Sequence, residues 1–235
     1  MNWEKYKYYY IALLITILLV VIGVIYFIIR RNMNAENNLD TNILDKKKNK
    51  GTTKNILFIG DSITVSPYSY PKIIEKNNPS LKIDVLAKGG MATKWMLQNL
   101  PAQLSTKKYD QIYIYGGVND AWNSSIKLET TLNNLQSMVD MGNQNGADVF
   151  IILGYEPLGF MDYNKMSVTR YQKTKEDNLP LIEKYKQYQS LIPTTIKGAF
   201  LVNKFQIPNM TGDGIHPNSK AQKIMADDIS KTINL

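Results

Sequence analysis

From residue 55 to the end of the chain, short apolar runs rich in β-branched residues alternate with longer amphipathic stretches. This alternation constrains the fold more than any other feature of the sequence. The short runs predict strands over residues 55–59, 82–87, 111–115, 148–153 and 199–203. The amphipathic stretches predict helices over residues 71–77, 93–104, 128–143, 168–191 and 219–233. Because strands that alternate with helices need crossover connections, we expect a three-layer α/β/α fold with a parallel five-stranded sheet.

The amino-terminal part of the chain has a different character, because residues 8–29 contain no charged side chain. As a helix, this run would span roughly 33 Å, which is enough to cross a bilayer core of roughly 30 Å. Lys7 and Arg30 bracket the run, and tyrosines lie at its start. A cleaved signal peptide fits less well, because the run is long and no small-x-small site follows it. We therefore expect a single N-terminal transmembrane helix over residues 8–29, preceded by a short flank, residues 1–7.

A polar segment, residues 30–53, separates this run from the strands and helices. It is rich in Asn, Asp and Lys and predicts a flexible linker. Residues 54–235 then form one domain of ordinary size. The chain carries a net charge of +8, of which half falls in the first fifty residues. The rest shows no concentrated basic patch with interleaved aromatics, so we expect the membrane as a partner and no nucleic acid.

The chain contains no cysteine and a single histidine, His216. The absence of cysteine excludes disulfides, thiolate metal sites and a cysteine nucleophile. One histidine excludes a multi-histidine metal site. Any acid–base chemistry by histidine must therefore run through His216.

Polar residues suited to one reaction follow three of the predicted strands. Ser62 follows the first strand, Asn119 the third, and Asp213 and His216 the last. Ligands of open α/β sheets bind beyond the carboxyl ends of the strands. Considered alone, Ser62 is also a candidate helix N-cap and Asn119 a turn residue. Together the loops offer a nucleophile, an amide donor, a base and an acid three residues before it, which is what acyl transfer needs.

The sequence resembles the SGNH, or GDSL-type, serine hydrolases in three motifs that occur in the family's order. They read GDSI from residue 60, GVND from residue 117 and DGIH from residue 213, with Ile63 in place of the commoner leucine. The resemblance implies that Ser62 is the nucleophile, His216 the general base and Asp213 the acid that orients the histidine. It also implies a flavodoxin-like sheet with strand order 2-1-3-4-5, and neither a metal nor an organic cofactor.

The resemblance further implies an oxyanion hole made of the backbone N–H groups of Ser62 and Gly90 and the side chain of Asn119. Gly89 is the alternative to Gly90. We choose Gly90 because the residues after it, Met-Ala-Thr, follow in the family's manner.

The expected function is that of a membrane-anchored serine esterase that acts through an acyl-Ser62 intermediate. We expect small acyl groups such as acetyl, carried on a small molecule, a polysaccharide or a cell-envelope polymer. Activity should rise with pH through the range in which histidines ordinarily lose their proton, roughly 6–7. The alternatives are an O-acyltransferase with the same triad and a catalytically inactive binding module of the same fold. A nucleotide-binding domain fits poorly, because the chain has neither a Walker A pattern nor Gly-x-Gly-x-x-Gly after the first strand.

Two sequence arguments on which side of the membrane the catalytic domain lies oppose each other. Lys and Arg near the two ends of the apolar run slightly favour a cytoplasmic catalytic domain. A cell-envelope substrate requires the opposite side, and we expect an extracytoplasmic domain on that ground.

Other polar and aromatic residues near the loops have expected roles of their own. Asp61 and Asp120 are expected to brace loops. Five side chains on loops at the site are expected either to line the acyl or alcohol pocket or to pack within the fold: Trp122, Tyr155, Glu156, Phe160 and Tyr163. Three tyrosines at helical spacing are expected at the surface or in the core: Tyr171, Tyr185 and Tyr188.

Overall fold

The computed structural model describes residues 54–154, 168–202 and 216–233. The strands are β1 (Asn55–Gly60), β2 (Lys82–Ala87), β3 (Gln111–Ile114), β4 (Asp148–Ile152) and β5 (Phe200–Val202). The helices are α1 (Ser62–Val65), α2 (Tyr70–Asn77), α3 (Thr93–Thr106), α4 (Val118–Trp122), α5 (Leu128–Asn145), α6 (Val168–Thr195) and α7 (Ser219–Ser230).

The strands form one parallel sheet in the order β2-β1-β3-β4-β5. This confirms the predicted α/β fold, the parallel five-stranded sheet and its order. The predicted helices and strands are all present, with ends that differ by a few residues. Two short helices, α1 and α4, were not predicted, because four or five residues are too few to show a helical period.

Each face of the sheet is covered by helices, because the strands are apolar on both sides. On one face, Leu57, Ile59 and Ile114 are fully buried in a cluster with residues of α3, α5 and α6. On the other face, Ile56 and Phe58 are buried in a cluster with residues of α1, α2 and α7. Two buried faces account for the near-continuous apolar character of the strands.

An aromatic row crosses the second face, perpendicular to the strands. Phe58, Tyr113, Phe150 and Phe200 lie in register on four adjacent strands. Their rings stack in sequence, with centroids 5.0, 4.7 and 5.0 Å apart. Cross-strand pairs of this kind stabilise a sheet and fix its register.

The predictions for residues 1–53, which include the flank, the transmembrane helix and the linker, lie outside the described residues. Within the ranges that the structure describes, no helix is both long and apolar enough to cross a bilayer.

Candidate active site

The site lies where the direction of the chain across the sheet changes. β1 has β2 on one side and β3 on the other, so the connections from these strands leave in opposite directions and open a crevice at their carboxyl ends. Ser62 follows β1, Gly90 follows β2 and Asn119 lies on α4, shortly after β3. The topology therefore brings three of the predicted residues to one edge of the sheet.

The turn after β1 is built around Asp61. Its side-chain Oδ1 accepts a hydrogen bond of 3.0 Å from the backbone N–H of Ile63, so Asp61 is the N-cap of α1. Ser62 is the first residue of that helix. A Cβ at Gly60 would lie 1.9 Å from the Thr64 hydroxyl oxygen, so this turn requires glycine.

Ser62 and His216 are in hydrogen-bond contact. The Nε2 atom of His216 lies 2.9 Å from the Oγ atom of Ser62. His216 is exposed and precedes α7, whose N-cap Asn218 accepts a hydrogen bond from Ala221. When the ring proton is on Nδ1, Nε2 is free to accept the proton of the serine hydroxyl. This is the geometry of a serine with a general base.

Two further predicted residues are Asp213 and Gly90. Asp213 lies outside the described residues. Gly90 has a φ of +74°, which favours glycine, and a Cβ there would meet nothing within 4 Å. A Cβ at Gly89 would lie 3.8 Å from the Cβ of Ser62, so the turn that holds both glycines borders the serine. The choice of Gly90 over Gly89 stays a prediction.

The side chain of Asn119 links the three loops. Its Nδ2 donates to Oδ2 of Asp61 at 3.3 Å and to the backbone oxygen of Met91 at 3.1 Å. Asp61 precedes the serine, and Met91 follows Gly90. The amide therefore lies between the nucleophile turn and the glycine turn. Because both of its N–H groups have acceptors here, a substrate oxyanion would have to share one of them.

Asp61 is fully buried, and this burial has an electrostatic consequence. Desolvation raises the pKa of Asp61 to about 7, an effect opposed by the hydrogen bond from Ile63 and by nearby His216, and strengthened by Asp120. A carboxyl group that gains and loses its proton near neutral pH therefore lies within the site.

Asp120 braces the neighbouring loop. It is buried, and its carboxylate accepts hydrogen bonds from the backbone N–H of Thr93 at 2.9 Å and from the Thr93 hydroxyl at 2.5 Å. A third bond, of 3.3 Å, comes from the Thr131 hydroxyl. Asp120 thus fixes the start of α3 just after the glycine turn. The predictions that Asp61 and Asp120 brace loops are confirmed.

Helix α6 supports α4 through a lysine that the sequence does not predict to lie near the site. Lys184 donates to the backbone oxygens of Asp120 at 3.0 Å and of Asn123 at 2.7 Å, at the end of α4. No sequence signal marks this lysine, since lysines on helices are usually solvated.

The hydroxyl of Tyr188, also on α6, donates to the oxygen of Gly116 at 2.9 Å. A Cβ at Gly117, where φ is +98°, would lie 2.4 Å from the Tyr188 ring. Tyr185 and Tyr188 are buried in the core, which is one of the two places expected for them.

Among the side chains expected either to line a pocket or to pack, Trp122 is half-buried and packs against the core. The positions Tyr155, Glu156, Phe160 and Tyr163 lie outside the described residues, as does the side chain of Tyr171.

A family model matches the part of the chain that contains these residues. The model of the GDSL-like lipase/acylhydrolase family matches residues 58–224. The match begins in β1, ends in α7 and contains each residue proposed for the triad and the oxyanion hole. No curated protein sequence matches the chain.

Several solved structures share the fold. TesA superposes with a TM-score of 0.58 at 20% identity, over 77% of this chain and 98% of its own. A catalytic mutant of Axe2, an acetylxylan esterase from Geobacillus stearothermophilus, gives 0.59 at 15% identity, over 78% and 95%. The esterase EstA from Pseudoalteromonas sp., inhibited by monoethylphosphonate, gives 0.54 at 20% identity, over 77% and 96%.

Proposed function

The chain belongs to the GDSL-like lipase/acylhydrolase family and is an ester hydrolase, and from this premise we propose that it acts through an acyl group on Ser62. The observation that carries the proposal is the 2.9 Å contact between Ser62 Oγ and His216 Nε2. An unactivated serine hydroxyl is a poor nucleophile, and a histidine at this distance supplies the missing base.

The reaction begins when His216 takes the hydroxyl proton while Ser62 Oγ bonds to the carbonyl carbon of the ester. The carbonyl oxygen becomes an oxyanion. It is stabilised by hydrogen bonds donated by the backbone N–H groups of Ser62 and Gly90 and by the side-chain amide of Asn119. Asp213 holds the histidine ring. His216 then gives its proton to the departing alcohol, and the acyl group stays on the serine.

Water completes the cycle. His216 takes a proton from a water molecule while the water oxygen bonds to the acyl carbon, and a second oxyanion forms. The bond from the acyl carbon to Ser62 Oγ then breaks, and His216 returns its proton to the serine oxygen. The products are a carboxylic acid and the free enzyme.

For the substrate, we propose a small acyl ester, such as an acetyl group on a carbohydrate or a cell-envelope polymer. The shared fold of Axe2, an acetylxylan esterase, supports this choice by analogy. The exposure of His216 and of the turn at Gly89 and Gly90 fits a site that is open to a bulky alcohol portion.

The test measures the hydrolysis of p-nitrophenyl acetate and of p-nitrophenyl octanoate by the full chain and by Ser62→Ala. An acetylated xylan is then tested as a polymer substrate. Acetate should be preferred, and acetic acid should be released from the polymer. Faster turnover of octanoate would contradict the small-acyl proposal. Acetyl transfer to an added sugar, in place of release to water, would identify an O-acyltransferase.

We also propose that residues 8–29 cross a membrane and that residues 54–235 lie outside the cytoplasm. The uncharged run and its flanking Lys7 and Arg30 support the span. Protease added to intact cells should digest the domain. Protection of the domain until the cells are lysed would put it in the cytoplasm.

A further inference from the structure

A buried glutamine connects the two elements that carry Ser62 and His216. Gln222 lies on α7, six residues after His216, and is 2% exposed. Its Oε1 accepts a hydrogen bond of 2.8 Å from the backbone N–H of Tyr70. Its Nε2 donates a hydrogen bond of 3.0 Å to the backbone oxygen of Ile63, the residue after the nucleophile.

The two backbone groups that Gln222 contacts have no partners within their own helices. Tyr70 is the first residue of α2, so its N–H is one of the unpaired donors of a helix start. Ile63 lies in the four-residue helix α1, and the residue four positions later is Pro67, which has no N–H. A primary amide, with one donor and one acceptor group, satisfies both at once. An apolar side chain of the same size would satisfy neither.

The surroundings of this amide make its geometry restrictive. Ile63, Tyr70, Ala221 and Met225 belong to one buried apolar cluster, which covers this face of the sheet. Apolar contacts alone allow α7 to shift or rotate slightly against α1, whereas hydrogen bonds are directional and are stronger in such a medium. One bond joins α7 to α1 at Ile63 and the other joins it to the start of α2 at Tyr70, so together they restrict how α7 can move against α1.

That position determines the distance between the reacting atoms. His216 lies two residues before Asn218, which caps α7 by accepting a hydrogen bond from Ala221. Ser62 adjoins Ile63 on α1. The bond from Gln222 to Ile63 joins the helix that follows His216 to the helix that begins at Ser62, so a shift of α7 against α1 would change the 2.9 Å contact.

We propose that Gln222 is a positioning residue that sets the separation of Ser62 Oγ and His216 Nε2 and so controls the rate of proton transfer. The inference rests on the proposed function of this pair. Transfer requires roughly 2.6–3.2 Å between the heavy atoms, and a misplacement of about 1 Å can lower a rate by roughly 100-fold.

The test compares Gln222→Met with Gln111→Met in the full chain. Gln111 is also 2% exposed, and its amide reaches the backbone oxygen of Thr232 at 3.4 Å. It lies at the amino end of β3, the end of the sheet opposite the site. Both variants remove a buried amide, although Gln111 makes one hydrogen bond where Gln222 makes two. The control therefore shows what the loss of a buried amide far from the site does to kcat, and the stability of each variant is measured separately.

The readout is kcat and KM for p-nitrophenyl acetate, with active sites counted by titration with a fluorophosphonate. We expect kcat per titrated site to fall roughly 10- to 100-fold in Gln222→Met, with KM within about twofold of the unsubstituted chain. Gln111→Met should keep its kcat per site. If Gln222→Met does not fold, Gln222→Asn serves instead. Its amide is one methylene shorter and cannot reach both Tyr70 and Ile63, so kcat should fall in the same way.

Two results can be told apart. A folded Gln222 variant with unchanged kcat per site would overturn the positioning role and leave Gln222 as a support of stability only. Failure of the fluorophosphonate to label the unsubstituted chain would instead contradict the proposed function of Ser62.

Discussion

The two halves of the proposed site are held in place by different means. On the oxyanion side, buried Asp61 and Asp120 lie at the strand ends and receive hydrogen bonds from Asn119 and Thr93. On the side of the base, His216 is exposed, and the helix that follows it, α7, is held by apolar packing and by the two hydrogen bonds of Gln222 to α1 and α2. The first half is built from residues within or next to the motifs. The second depends on a residue outside every motif, so the motifs alone do not describe a working site.

The largest effect should come from breaking the contact that joins the halves. Ser62→Ala and His216→Ala should each lower kcat by at least about 10⁴-fold, since members of a triad act as a unit. The assay is p-nitrophenyl acetate hydrolysis by folded, purified chains. Ser66→Ala is the control, because Ser66 lies just past α1 and its hydroxyl contacts only the nearby Tyr68 N–H among the described contacts. Activity that survives either triad substitution would exclude that residue.

The next effect concerns the oxyanion half alone. Asn119→Ala should lower kcat roughly 10²- to 10³-fold with little change in KM, because the amide acts on charge that develops in the transition state. Asn123→Ala is the matched control. Its side chain contacts Ser125 at the surface, while its backbone oxygen stays bonded to Lys184. Equal kcat values for the two variants would show that Asn119 is not a donor to the oxyanion.

The substitution Asp61→Asn should raise stability at pH 8 and lower activity. The pKa of Asp61, raised to about 7 by burial, lies above the value of roughly 4 expected in the unfolded chain. Between these values only the folded state keeps the proton, so the free energy of unfolding should fall as pH rises from about 4 to 7. Asp61→Asn should remove this fall and be more stable than the unsubstituted chain at pH 8, but not at pH 4.

The same variant should lose activity. If the new amide keeps the cap at Ile63 through its oxygen, its NH₂ group faces the NH₂ group of Asn119 and can no longer accept from it. A bond to a charged acceptor contributes about 1.5–3 kcal/mol, so a fall in kcat of at least roughly tenfold is expected. Urea unfolding at pH 4 and pH 8, with kcat at pH 8, provides the measurements. A variant that is both less stable and fully active at pH 8 would contradict the account of Asp61.

The smallest effect should come from the support beneath α4. Lys184→Met removes two hydrogen bonds to backbone oxygens and should lower the free energy of unfolding by about 1 kcal/mol, because the ammonium group is partly solvated. The fall in kcat should stay within about threefold, since Asp61 still holds Asn119. Lys186→Met, which loses only an exposed ion pair with Glu183, should match the unsubstituted chain. A loss of kcat as large as that of Asn119→Ala would mean that Lys184, and not Asp61, positions the amide.

The sequence predicts the sheet well, because each strand is a short apolar run and glycines follow four of them. It also predicts the contact of Ser62 with His216, although 153 residues lie between them. The role of Asp61 as a cap had a signal, since aspartate before a short helix is a common N-cap. Gln222 and Lys184 had none. A helical glutamine or lysine is usually solvated, and only the packing of distant segments shows which backbone groups lie beside it.

The proposed reaction requires that Ser62 is an activated nucleophile and that His216 activates it. A fluorophosphonate probe, incubated with the full chain and followed by peptide mapping, tests both points. We expect an adduct on Ser62 that forms at least 100-fold more slowly in His216→Ala. Folded, unsubstituted protein that carries no adduct, or an adduct on another serine, would contradict it.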